Sequence, residues 1–398
     1  MTKKNTPPVT WSASLALLFA LASGLSVANI YYVQPLLGQL AESFGVSKAA
    51  VGSVVSVTQL FYAAGLLLIV PLGDLRNRRV MILVQLALSG IALLAAGLAH
   101  PYFILLASLA VVGSMAVVTQ VLVNFASSLA PASSRGSAVG TVTSGIVIGI
   151  LLARTVAGII SELAGWRAVY LTSSALTAVL ILVLWKKLPE DDADKSNSSY
   201  RRMLRSFPRL FATHRLLRAR AILALLIFAN FGMLWTPLAL PLGEAPFHLQ
   251  PAAIGAFGLA GAAGAWGASR AGRWADRGQG PRMTIIALSI LLVSWFPIGM
   301  LHHSLLVLIA GIILLDFAVQ VVHVSSQSLL FASLPEARGQ LTGAYMIFYS
   351  IGSALGALLS TLLYARYGWY GVCVAGASIA AIALLYAFLS RKQTLNPN

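Results

Sequence analysis

Charged residues and cysteine are scarce in this 398-residue chain. Charged residues make up 10% of it and hydrophobic residues 58%, whereas a soluble domain is roughly 25% charged. Cys373 is the one cysteine, which excludes an internal disulfide and a cysteine-based metal cluster. The sequence also lacks a Walker-type Gly-Lys-Ser/Thr loop and the His-x-x-x-His spacing of a zinc site. These absences exclude ATP as a direct energy source for this chain alone, and we expect no metal, no cofactor and no enzymatic activity.

Long apolar runs recur through the whole sequence. A helix needs about 20 residues to cross about 30 Å of hydrocarbon. The runs are continuous rather than alternating, which predicts membrane helices and not the strands of a barrel. The first run has no cleavage signal and contains Asn29, Tyr31 and Tyr32, so we expect it to be retained. The twelve predicted spans are 12–37, 49–73, 80–99, 102–128, 138–164, 168–186, 219–243, 252–272, 283–300, 305–331, 341–364 and 372–389.

A repeat with an offset of about 203 residues divides the sequence into two similar halves. Arg135 aligns with Arg338, and Gly165-Trp166 aligns with Gly368-Trp369. Two similar membrane halves that rock about a central site are the usual plan of a secondary transporter. We therefore predict an all-α membrane protein with twelve transmembrane helices in two six-helix repeats around a central cavity. The predicted domains are an N-terminal half (1–186), a basic cytoplasmic linker (187–218) and a C-terminal half (219–398).

The basic residues predict the orientation of the chain. With the N-terminus in the cytoplasm, 23 of the 27 Lys and Arg residues fall on the cytoplasmic side. The other side has Lys48, Arg167 and Arg366, and Arg154 lies inside a span. This bias places both termini in the cytoplasm. It also accounts for the net charge of +16 without nucleic-acid binding, because basic loops are attracted to anionic inner-leaflet lipid.

The central linker has a composition of its own. The segment from Tyr200 to Arg220 follows the acidic run Glu190–Asp194 and mixes arginine with Leu, Phe and Met. Such a mixture is typical of a helix that lies on the membrane surface. We expect it to act as an anchor, and a regulatory or partner-binding role is the alternative.

A short motif follows the second span of each half. Val70–Arg79 and Gly272–Arg277 resemble the loop sequence Gly-x-Leu-Ala-Asp-Arg-x-Gly-Arg-Arg of the major facilitator superfamily. Asn29–Leu37, with the glycines around Arg154, resembles a branch of that superfamily, the bacterial drug and arabinose-type efflux permeases, which are proton antiporters. The resemblance implies the twelve-helix fold, a location in the bacterial inner membrane and a monomer.

The acids and arginines of this motif are candidates for a cytoplasmic latch. A carboxylate at a helix end that pairs with loop arginines can hold the cytoplasmic side together when the two halves meet. Helix capping and topology alone are the alternative role. The candidate latch residues are Asp74, Arg78, Arg79, Asp276 and Arg277.

The fifth span carries a small residue at every fourth position. Faces of this kind let another helix approach closely. We expect them to lie at the interface that slides during transport. The face consists of Gly145, Gly149, Ala153 and Ala157, and it recurs in the eleventh span as Gly352, Gly356 and Ser360.

Two charged residues are predicted to lie deep in the membrane, Arg154 and Asp316. A charge at the bilayer centre costs at least ~2.5–3.5 kcal/mol on insertion scales, so neither is expected to face lipid unpaired. Counted from Arg135 and Arg338, their depths agree within about 5 Å. This agreement allows them to pair across the interface between the halves.

Asp316 begins a polar stripe in the tenth span. Gln320, His323 and Gln327 follow on the same helical face. With polar and aromatic residues of other spans they predict an amphipathic central cavity, and hydrogen bonding that only holds the helices together is the alternative. The further candidates are Asn29, Tyr32, Gln34, Gln59, Tyr62, Gln120, Asn124, Asn230, Trp235, Tyr345 and Tyr349.

These features predict a transporter whose partners are a small molecule, protons and the lipid bilayer. An Asp316 that exchanges between Arg154, a proton and the substrate would titrate differently in the two orientations, and His323 could share the proton. Proton-coupled export of small amphipathic or sugar-like compounds is the first hypothesis. A symporter or facilitator for a small organic anion, with Arg154 as its counter-ion, is the second. A membrane receptor that transports nothing is the third, and the matched repeat and polar midplane argue against it.

Overall fold

The computed structural model describes residues 12–131, 134–191, 199–267, 280–333 and 338–390. Every regular element in these ranges is helical. Nine of their helices are long and apolar enough to cross a membrane, and an additional apolar helix of fewer than 18 residues begins at Pro251. Two of the nine are of double length and each is divided by a glycine with non-helical backbone angles, so the described ranges contain twelve helical spans. Residues 268–272 of the predicted eighth span lie outside these ranges.

We number the spans in chain order. The first four are α1 (Ala13–Phe44), α2 (Lys48–Gly73), α3 (Arg78–Gly97) and α4 (Tyr102–Leu129). The double-length helix Arg135–Lys187 contains α5 (135–164) and α6 (166–187). Next come α7 (Arg215–Gly243), α8 (Pro251–Gly267), α9 (Gly280–Gly299) and α10 (Leu305–Ser333). The second double-length helix, Arg338–Leu389, contains α11 (338–367) and α12 (369–389).

Two glycines make the sharp turns that end α5 and α11. Gly165 has φ 80° and Gly368 has φ 63°, a backbone conformation that favours glycine because it has no Cβ. They occupy equivalent positions in the sequence repeat. The repeat seen in the sequence is therefore also a repeat of backbone geometry.

The small faces of α5 and α11 pack inside the halves and not between them. A Cβ on Gly145 or Gly149 would overlap the backbone of Ala20 or Gly24 in α1. In the same way Gly352 and Gly356 of α11 meet the α7 backbone at Leu225 and Ala229. The prediction that these faces lie at the sliding interface was therefore wrong for these four glycines. The reason is that the α1 and α7 backbones lie directly opposite these glycines in the same half, which lets each pair of helices pack closely.

Contacts between the halves are concentrated at the end of the bundle away from the termini, which we call the distal end. There the α5 backbone at Gly158 touches Pro251 of α8, and Thr155 Oγ1 donates to the Gly255 carbonyl at 3.0 Å. α2 and α11 are joined by Ser56 Oγ, which donates to the Ala354 carbonyl at 2.9 Å. Lys48 and Glu244 form an ion pair across the same end. The distal end is closed.

The opposite end, which carries the first and last described residues, is called the terminal end. The main packing partners of α4 are α1, α2, α3 and α5, and those of α10 are α7, α8, α9 and α11, in each case within one half. Gly136 and Gly140 at the start of α5 are exposed, with no atom within 4 Å of an added Cβ. The bundle therefore opens toward the terminal end.

A linker helix, Tyr200–Thr213, lies at the terminal end. Its Phe207 is buried against α11, and the Phe211 ring lies 5.0 Å from that of Phe348. At the start of the linker helix, the Tyr200 hydroxyl donates to the Leu68 carbonyl of α2 at 2.7 Å, so the linker helix contacts both halves. The sequence predicted a helix lying on the membrane surface. Its aromatic side chains pack on the apolar surface of α11, and its position relative to the membrane stays a prediction.

Candidate functional site

Three buried side chains from three helices meet at the interface between the halves. The Arg154 guanidinium carbon, from α5, lies 3.9 Å from the centre of the Trp235 ring on α7. The Trp235 Nε1 donates to Asp316 Oδ1 of α10 at 3.1 Å. We call Arg154, Trp235 and Asp316 the central cluster.

The predicted ion pair between Arg154 and Asp316 does not form in this conformation. The two residues do reach the same depth, as their positions in the sequence indicated. However, Arg154 covers the face of the Trp235 indole, and Asp316 binds the nitrogen at the edge of that ring. The indole therefore connects the two charges in place of a direct contact.

Arg154 is held by aromatic rings and one amide. Its Nε donates to Gln34 Oε1 at 2.5 Å, and the rings of Tyr31 and Phe231 lie 5.4 Å and 5.3 Å from its guanidinium carbon. Rings at these distances attract a cation through their electron-rich faces. The Arg154 Nη2 is buried and has no hydrogen-bond partner. The site thus contains a buried donor that is still able to bind an acceptor.

Glycines of α8 make room for the charged side chains. A Cβ on Gly258 would lie 3.2 Å from Arg154 Cβ. A Cβ on Gly261 would overlap Asp316 Oδ2 and lie 2.8 Å from Trp235 Cζ2. These glycines were not among the predicted site residues. The sequence pattern that could have identified them is a glycine at every third position, at 255, 258, 261 and 264, which places the four glycines on neighbouring faces of one helix.

An aromatic group lies beside the central cluster and includes His323. The hydroxyls of Tyr31 and Tyr349 are 2.5 Å apart and join α1 to α11 across the interface. His323 Nδ1 is 3.0 Å from the Tyr345 hydroxyl, and its ring meets that of Phe228 edge-on at 5.3 Å. His323 lies two helical turns, about 10.5 Å, from Asp316 along α10. The structure therefore places His323 with the tyrosines and not in contact with Asp316.

Two predicted cavity residues instead join helices of the same half. Asn29 Oδ1 accepts a hydrogen bond from Ser173 Oγ of α6 at 2.5 Å. Asn230 Oδ1 accepts one from Trp295 Nε1 of α9 at 2.8 Å. Their substrate-facing role stays a prediction, and these contacts match the alternative, hydrogen bonding that holds the helices together. A buried amide needs partners for its oxygen and its NH₂ group, and in each case the outer helix supplies one.

The remaining predicted cavity residues differ in burial. Their burial does not follow depth alone, since Tyr345 is fully buried beside half-buried His323. Gln120 donates to Met346 Sδ at 3.5 Å across the interface. The buried ones are Tyr32, Gln34, Gln59, Tyr62, Tyr345 and Tyr349, the half-buried ones are Gln120, Gln320, His323 and Gln327, and Asn124 is exposed.

The arginines of the first motif bind acceptors in their own half. Arg78 donates to the Gly73 carbonyl and to Ser128 Oγ, and Arg79 donates to the Trp185 carbonyl. The Asp74 side chain, Asp276 and Arg277 lie outside the part of the chain that the structure describes. The latch remains a prediction.

The chain matches known transporters along its whole length. The family model of the Major Facilitator Superfamily matches residues 19–296 and 220–398. An Escherichia coli O157:H7 protein, described as the uncharacterized transporter YgaY, is 43% identical over 94% of this chain and 95% of its own. The multidrug resistance protein MdtG of Escherichia coli O81 is 24% identical over 99% of this chain and 98% of its own.

A solved structure has the same fold. It is a bacterial homologue of the human lysosomal transporter Spinster in an inward-facing, occupied conformation. The TM-score is 0.83 at 16% identity, with 99% of both chains covered. Together with the sequence relatives and the family match, this places the chain in the major facilitator superfamily of membrane transporters.

Proposed function

We propose that this protein is a proton-coupled secondary transporter that exports small amphipathic or sugar-like compounds by alternating access. It lies in the bacterial inner membrane with both termini in the cytoplasm. The observation that carries the proposal is the central cluster, in which an arginine of one half and a carboxylate of the other contact the same indole. A relative named for multidrug resistance supports export.

The cluster suits proton coupling because its two charges belong to different halves. A carboxylate binds a proton more or less tightly according to the charges and solvent around it. When the halves rock, Arg154 on α5 moves relative to Asp316 and Trp235, which both belong to the C-terminal half. The affinity of Asp316 for a proton then differs between the two orientations, which is the requirement for driving transport with a proton gradient.

The cavity supports the substrate class. With the termini in the cytoplasm, the closed distal end faces outward and the conformation seen here receives substrate from inside. Half-buried or exposed amides lie on α4 and α10, and the half-buried His323 of α10 lies beside buried aromatic rings such as Phe228 and Tyr349. This mixture fits a compound that has both an apolar body and hydroxyl or amide groups.

Asp316→Asn tests the coupling role. The substrate is first found by a thermal-shift screen, since a ligand that binds the native state raises its melting temperature. In proteoliposomes, Asp316→Asn is expected to retain exchange of substrate down its own gradient and to lose transport driven by a pH gradient. Glu190→Gln removes an exposed acid outside the cavity and is expected to retain both. If Asp316→Asn retains full gradient-driven transport, Asp316 is not the coupling site and His323 becomes the next candidate.

A second candidate function is uptake of a small organic anion by symport or facilitated diffusion. The buried Arg154 Nη2 without a partner favours it, since a carboxylate would satisfy that donor. Under this hypothesis Arg154→Ala abolishes uptake, whereas Asp316→Asn leaves facilitated uptake in place. Proton release upon substrate addition in detergent would support the first function instead.

A further inference from the structure

A second buried arginine lies far from the central cluster, at the terminal end of the C-terminal half. Arg220 of α7 is only 2% exposed. Its Nη1 donates to Thr284 Oγ1 at 3.1 Å, and its Nε is buried without a hydrogen-bond partner. Among the described residues it forms no ion pair with an acid. A buried guanidinium with unsatisfied donors is costly unless an acceptor completes it.

A small recess gives access to Arg220. It measures about 10 Å³, room for a single oxygen atom or water, and lies between α7, α9 and α12. Pro281 and Thr284 at the start of α9 and Ser390 at the end of α12 line it. Arg220 itself is five residues from the start of α7, about 7.5 Å along the axis. All three helices therefore place the recess near the membrane surface, where lipid headgroups lie.

An apolar groove lies beside this recess, on the adjoining face of α9. Ile285 lines both the recess and the groove, whose volume is about 340 Å³. The groove follows α9 from Ile285 to Val293, about 12 Å, and is bordered by Leu314 of α10. Arg220 thus lies in a recess next to the surface end of an apolar groove on α9, and Ile285 separates the two.

We propose that Arg220 and this groove form a binding site for an anionic phospholipid of the leaflet at the terminal end. One phosphate oxygen enters the recess and accepts hydrogen bonds from the guanidinium, and an acyl chain lies along α9. The small recess and the adjoining groove favour a lipid over free phosphate, which has no apolar part. Arg215, Arg218 and Arg282 lie at the same end and favour a headgroup without an ammonium group.

Native mass spectrometry of delipidated protein in detergent tests the site. Phosphatidylglycerol is expected to bind as one tight copy. Diacylglycerol, which lacks the phosphate, and inorganic phosphate, which lacks the chains, are expected not to compete with it at the same concentration. Arg220→Gln is expected to weaken binding by about tenfold, because hydrogen bonds to a charged group are lost.

Two further variants make the test independent of the buried arginine. Val293→Trp fills the groove from a position that is 62% exposed, so folding is retained while lipid binding falls. Lys187→Gln is the control, because exposed Lys187 occupies the position equivalent to Ser390 in the first repeat and borders its own groove. It should leave the tight copy in place. Equal lipid binding by wild type, Arg220→Gln and Val293→Trp would overturn the proposal, as would competition by inorganic phosphate.

Discussion

Gly261→Ala is the sharpest test of how α8 supports the central cluster. The added Cβ would overlap Asp316 Oδ2 and lie 2.8 Å from Trp235 Cζ2. Restoring an ordinary contact of 3.4 Å moves the indole by about 0.6 Å, and the carboxylate has to move further. Such shifts are enough to break the 3.1 Å hydrogen bond between Trp235 and Asp316.

The size of the effect follows from these contacts. Overpacking a tight site costs about 1–3 kcal/mol, and a hydrogen bond to a charged group contributes about 1.5–3 kcal/mol. We therefore expect a lower melting temperature and a fall of at least about tenfold in proton flux driven by substrate. The flux is measured in proteoliposomes that contain a pH-sensitive dye, once a substrate has been found.

Gly140→Ala is the matched control for this experiment. Gly140 also lies inside a helix, but no atom is within 4 Å of its added Cβ. Alanine stabilises a helix by up to about 1 kcal/mol relative to glycine, so the control should keep or slightly raise the melting temperature. If Gly261→Ala matches Gly140→Ala in both flux and melting temperature, α8 does not support the cluster in the way described here.

Two further predictions concern the ends of the bundle. Lys48→Glu should shift the protein toward the state open at the distal end by about fivefold or more, because it removes an ion pair that contributes up to about 1 kcal/mol and adds repulsion from Glu244. The shift is measured as a faster rate of thiol labelling at Ser53→Cys, and adding Glu244→Lys should reverse it. An unchanged labelling rate in Lys48→Glu contradicts the role of the ion pair. Asp74→Asn or Asp276→Asn should leave the melting temperature intact and cripple turnover by destabilising the outward-facing state. Normal transport kinetics in both would refute the latch.

The sequence predicted those features that depend on composition and on spacing along one helix. Apolar length predicted the spans, and the repeat aligned Gly165 with Gly368, where the structure has its two sharp turns. Counting residues from the basic loops brought Arg154 and Asp316 to one depth, because rise per residue is nearly constant in a helix. These properties are local, so no knowledge of neighbouring helices is needed.

The features that were missed depend on which helix lies beside which. Asn29 is equally suited to a cavity or to Ser173 of α6, and only the packing of α6 decides. The position of the Trp235 ring between two charges depends on side-chain rotamers that no sequence pattern specifies. The sequence shows a glycine at every third position of α8, but it does not specify that Asp316 of another helix faces Gly261.

The backbone contacts at the distal end also determine how well the closed protein insulates the membrane. At Gly158, Gly255 and Gly52 a single added carbon would overlap atoms of the opposite half. A water molecule, with a radius of about 1.4 Å, has no space at these backbone contacts, so a chain of hydrogen-bonded waters cannot conduct protons through them. A membrane protein that opened even a narrow aqueous path would dissipate the gradient on which the cell depends. The absence of side chains at these three positions therefore prevents a proton leak through the closed protein.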